Sequence, residues 1–138
     1  MEIQKASVLK YSISVLSFIA ILISVYLLYI HFSGGIAACP DVGRINCQDV
    51  LTSPYSSFFY IPLPVFGIIY FLLIFILSFI DKLKNVILAL SAISIIVVFS
   101  LLYIEFGLIH YICLWCSSIH LIALLIFFIS LYRYIFNL

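Results

Sequence analysis

Charge is what this sequence has least of: six Lys or Arg and five Asp or Glu in 138 residues, 8% of the chain, where a soluble domain carries about 25%. So few polar groups cannot cover a water-soluble globule, which excludes that class. The basic residues are scattered at the ends of apolar stretches and form no patch or run, which speaks against a nucleic-acid partner. Pro-rich, Gln-rich and other low-complexity tracts are missing, as is any internal repeat. What fills the chain is apolar: hydrophobic residues make up 67%, against roughly 45–50% in ordinary domains.

Those residues fall into stretches long enough to cross a bilayer, which takes about 20 apolar residues as a helix. Spans are expected at about 11–32, 60–80, 86–106 and 111–132. Hydrocarbon leaves backbone N–H and C=O groups no partner but each other, so each stretch should be helical. The first is too long for a signal-peptide core and no clean cleavage site follows it, Ala37-Ala38-Cys39 being the nearest approach. Lys5, Lys10, Lys82, Lys84 and Arg133 fall at the N-terminus, the second loop and the C-terminus, with Arg44 alone on the other side. The positive-inside rule then places both termini in the cytoplasm. The expectation is an all-α, multi-pass protein of the cell membrane, one domain of four transmembrane helices over residues 1–138.

The long outer connection, residues 33–59, is expected to carry chemistry. Its end, from Asp49 to Phe59, reads as a short amphipathic helix lying on the bilayer surface. Pro62 and Pro64 suit the start of the second helix. Cys39 and Cys47 lie in this loop, while Cys113 and Cys116 open the fourth span, so topology alone gathers all four cysteines at one face. That face is outside the reducing cytoplasm, where disulfides persist. Cys-x-x-Cys at a helix start puts both thiols on one side, within reach of the positive end of the helix dipole, which favours the reactive thiolate. A loop pair beside a membrane pair is the layout of an electron relay. Cys113, Cys116 and His120 fall at i, i+3 and i+7, one stripe facing the bundle. A two-electron acceptor that dissolves in the bilayer is required there, and a quinone fits, with His120 donating to a quinone oxygen and Trp115, Phe66 and Tyr70 lining its pocket.

The cysteine pairs, Ser53 between them and Cys113-Leu114-Trp115-Cys116 in the last of four spans together resemble the vitamin K epoxide reductase family. The resemblance implies a four-helix bundle around a bound quinone, menaquinone, ubiquinone or similar, capped by the loop and its horizontal helix, with the active site on the extracytoplasmic side. It also implies that Cys39 meets an external thiol partner, Cys47 exchanges with Cys113, Cys116 sits beside the quinone, and Ser53 orients the loop or holds the quinone. Animal epoxide reductases carry Thr-Tyr-Ala where this chain has Ile119-His120-Leu121. The resemblance therefore implies the prokaryotic role: disulfide formation in a secreted thioredoxin-like protein, supplied as a separate polypeptide because the sequence ends at Leu138 without such a domain.

Blander readings accompany each residue. The cysteines could pack helices, staple the loop in a non-catalytic membrane subunit, or bind zinc, for which Cys-x7-Cys is an unusual spacing; no metal is expected. Reduction of a quinone epoxide is the other enzymatic alternative. His120 could bridge helices, His110 sits wet in the outer turn, and Ser53 before Pro54 is a natural turn residue. Glu105 is the only acid inside a span, but its interfacial depth favours solvation.

Overall fold

The computed structural model describes residues 2–33, 57–58, 61–110 and 113–136. Cys39, Cys47 and Ser53, with most of the expected outer loop and its surface helix, lie outside the described residues.

Among the described residues four α-helices carry the fold: α1 (Glu2–Ser33), α2 (Leu63–Ser78), α3 (Lys84–Tyr103) and α4 (Leu114–Ile135). Three helical segments, Ile3–Ser33, Asp81–Leu108 and Leu114–Ile135, are long and apolar enough to cross a membrane, and α2 is a shorter apolar helix. This is an all-α membrane protein. Its outward faces carry Phe18, Leu22, Ile69, Ile96, Phe99, Leu121 and Phe128, all more than half exposed, a surface suited to lipid and not to water.

Helix α1 begins at Glu2, well before the expected first span, since nothing between Glu2 and Lys10 breaks a helix. The extension is tied down by an ion pair, Lys10 Nζ to Asp81 Oδ1 at 3.3 Å. Helix α2 starts only at Leu63, with Pro62 as its N-cap and Pro64 in the first turn. A residue before proline is steered to extended backbone, and Ile61–Pro62 instead forms β2, paired antiparallel with β1 (Ser57–Phe58). Ser57 and Phe58, expected in the surface helix, are thus strand. Helix α2 is 16 residues long, about 24 Å at 1.5 Å per residue.

A 3₁₀ turn, Asp81–Leu83, joins α2 to α3. Beyond Tyr103 the third helix widens into a π-helical turn, Ile104–Ile109, so helical backbone continues past the expected end of the span. His110 stops it in the left-handed region at φ 64°. The core between the helices is Ile13, Ala20, Phe71, Ile74, Ile87, Val98, Ile122, Ala123 and Ile126. Small residues let α1 and α2 approach closely, as membrane helices do. A Cβ on Gly67 would lie 3.0 Å from the Ser24 hydroxyl, and Ser14 and Ser78 share a buried hydrogen bond of 2.7 Å.

Candidate functional site

The site grows from the start of α4. Cys113 is the N-cap residue, extended at φ −98°, ψ 118°, and fully buried. Its Sγ accepts the Cys116 backbone N–H at 3.3 Å, while its carbonyl accepts Ser117 N–H at 2.9 Å as the first helical bond. A helix start leaves N–H groups unpaired, and here a sulfur takes one of them. The two thiols are unbridged and hydrogen-bonded to each other. The Cys116 thiol, together with the backbone N–H groups of Cys116 and Trp115, stabilises the Cys113 thiolate and holds that thiol below its ordinary pKa despite burial. A thiol whose thiolate is favoured in this way suits a sulfur that attacks or leaves in disulfide exchange.

Cys116, one turn on, faces a cavity of about 340 Å³ between the helices, within the size range of small-molecule sites. Its walls are almost wholly apolar, drawn from α1 (Ser24, Leu27), α2 (Phe66, Gly67, Tyr70, Phe71), α3 (Val97, Val98) and α4 (Ile119, His120). His31, exposed at the end of α1, and Glu105, on the π-helical turn, also line it. Within this apolar lining, four buried polar atoms meet no hydrogen-bond partner among the described residues: Ser24 Oγ, Tyr70 Oη, Glu105 Oε2 and His120 Nδ1. The Tyr70 hydroxyl lies beside Ser94, whose own hydroxyl donates to the Ser91 carbonyl at 2.6 Å. Buried polar groups are seldom left unpaired. Several around one apolar space suit an apolar ligand carrying a few polar groups.

Of the residues singled out from the sequence, Cys116, His120, Phe66 and Tyr70 come together around this cavity, with Cys113 behind Cys116. Trp115 does not line it. Its ring packs against Tyr26 with centroids 5.0 Å apart, because the residue before Cys116 is turned about 100° around the helix, toward α1. Glu105 departs from expectation too: it is 4% exposed and faces the cavity, within electrostatic reach of both sulfurs. It continues the buried stripe of Ile87, Ser91, Ser94 and Val98, seven residues beyond Val98, where interfacial depth had suggested solvation. Its one sequence signal was that no other acid lies inside a span. Ser24, Gly67 and His31 were missed as well, being ordinary helix residues by pattern. Among the described residues no group of three or more His, Cys, Asp or Glu side chains could hold a metal ion.

A family model described as the vitamin K epoxide reductase family matches residues 11–131, most of the chain. Comparison with curated proteins finds no match.

Proposed function

The chain belongs to the vitamin K epoxide reductase family, a membrane oxidoreductase of that type, and from this premise we propose that it is a thiol:quinone oxidoreductase that forms disulfides in a separate, thioredoxin-like protein. The observation that carries the reading is the junction at the start of α4. A vicinal thiol pair, one sulfur poised as thiolate, opens onto an apolar cavity whose buried polar atoms lack partners among the described residues.

The relay runs in three exchanges. A reduced partner gives its electrons to a Cys39–Cys47 disulfide through Cys39. The Cys47 thiolate then attacks Cys113 in a Cys113–Cys116 disulfide and releases Cys116; Cys39 attacks Cys47 and releases Cys113. The reduced buried pair finally passes two electrons to a quinone in the cavity, and the Cys113–Cys116 bond reforms. Ease of leaving favours the release of Cys113 from Cys47, since a low-pKa thiol departs readily, and Cys113 has the environment for it. His120 and Tyr70 donate to the quinone oxygens, Phe66 flanks the ring, and Ser53 steadies the loop or the quinone. The fold sits with both termini and Lys10–Asp81 toward the cytoplasm and the thiols outside, as the charge distribution requires. The shorter apolar helix α2 serves as the fourth span.

Anaerobic incubation of the purified protein with a reduced thioredoxin-like dithiol and a short-chain quinone tests this. The expected result is quinol formation at the rate of dithiol loss, abolished in Cys39→Ala. A protein that holds static disulfides and makes no quinol is a scaffold, and the proposal fails.

A further inference from the structure

Glu105 takes no part in the relay as described. It is a buried acid, 4% exposed, inside an apolar segment, with Oε2 unpartnered among the described residues. Among the described residues the carboxyl makes no ion pair, and it stands where an apolar side chain would fit the apolar lining. Ionisable groups inside membrane spans mark paths for substrates or protons, and π-helical turns are frequent at functional sites. Both observations meet in the cavity wall, which Glu105 shares with Cys116 and His120.

Proton bookkeeping shows what it could do. Reducing a quinone to a quinol takes two electrons and two protons. The thiolate is the attacking form of a thiol, and when Cys113 reacts in that form beside the Cys116 thiol, the sulfur pair brings both electrons but a single proton. The S–S bond forms, the Cys116 S–H bond breaks, and that proton ends on one quinone oxygen. The second oxygen needs a proton the sulfurs do not hold. We propose that Glu105 is the catalytic proton donor for that second oxygen. Its O–H bond breaks as the quinol forms, leaving a carboxylate. Charge balances, because the one negative charge present on Cys113 at the start resides on Glu105 at the end. Water at the cavity rim, by the exposed His31, restores the proton before the next turnover. This assignment rests on the quinone reading above.

The test is a single turnover. The full-length protein, reduced beforehand and freed of reductant, is mixed anaerobically with a short-chain quinone, and quinol is followed over a range of quinone concentrations. Glu105→Gln keeps the shape of the side chain and removes the proton. It should slow the limiting rate by about 100-fold or more, in line with general acid catalysis, while half-saturation stays within about twofold. Glu105→Asp, which keeps the acid, should retain at least about a tenth of the rate. A Glu105→Gln rate within threefold of wild type, or an affinity lost in step with the rate, or an Asp variant as slow as Gln, each overturns the assignment to Glu105. Absence of quinol from the wild type overturns the quinone reading itself, and this inference with it.

Discussion

The two ends of this bundle use the same few polar residue types in opposite ways. At the charged end most polar groups find each other: Lys10 meets Asp81, Ser14 bonds Ser78, and Ser17 donates to the Ile13 carbonyl at 2.7 Å. Arg133, 4% exposed, lies within electrostatic reach of Asp81, though its Nε and the Ser130 hydroxyl are unpartnered among the described residues. At the cysteine end, Ser24, Tyr70, Glu105 and His120 face one cavity and leave polar atoms unmet among the described residues. Satisfied groups fix a structure; groups left open around an apolar space await a ligand. In so apolar a chain, that difference is what separates scaffold from site.

The contrast can be broken most strongly by filling the cavity. Gly67→Leu puts a side chain where even a Cβ sits 3.0 Å from Ser24. Overpacking of that kind costs about 1–3 kcal/mol, so the variant should melt earlier and lose quinone binding together. Retained binding at wild-type affinity would show that the ligand lies elsewhere. Next in size, His120→Leu removes one unpartnered polar group and should weaken short-chain quinone binding about tenfold, or about 1.4 kcal/mol, with thermal stability unchanged or raised. An unaltered dissociation constant would return His120 to a packing role.

A smaller effect separates Cys113 from an ordinary thiol. Its thiolate is favoured by the Cys116 thiol and by helix N–H groups, so thiolate absorbance in the reduced protein should persist below the usual cysteine range near 8.5. Because the folded pKa lies below the unfolded one, the stabilisation is present above the unfolded value and is lost as pH falls through the folded one. Cys116→Ala removes the principal donor and should move the titration upward; no movement would remove the thiol–thiol bond from the explanation. Smallest of all, Ser14→Ala at the charged end should cost about 0.6 kcal/mol, the average for membrane hydrogen bonds, and leave turnover untouched. A drop in quinone reduction there would erase the division between the two ends.

Much of this was readable from residue order. Apolar run lengths gave the helices, Cys113-x-x-Cys116 before an apolar run gave a helix start with both thiols on it, and the i, i+3, i+7 spacing turned His120 toward the interior. The ends of elements were less legible, because prolines act locally: Pro62 and Pro64 delay α2 and leave Ile61–Pro62 to pair as strand. Least legible was the inward Glu105. Helical spacing from Val98 does put it on the inner face, but its position near the membrane rim pointed to solvent. Trp115 erred in the opposite sense, an aromatic beside the thiols whose direction only helix phase decides.

The claim on which the rest depends is that the buried pair itself hands electrons to a quinone in the cavity. A Cys39→Ala, Cys47→Ala double variant, reduced and stripped of reductant, isolates that step when mixed anaerobically with a short-chain quinone. One quinol per protein is the expected yield, with a Cys113–Cys116 disulfide mapped by mass spectrometry, and a further Cys116→Ala change should lower the rate by at least about 1,000-fold, as loss of a reacting nucleophile does. No quinol from the double variant, or undiminished quinol without Cys116, would contradict the account.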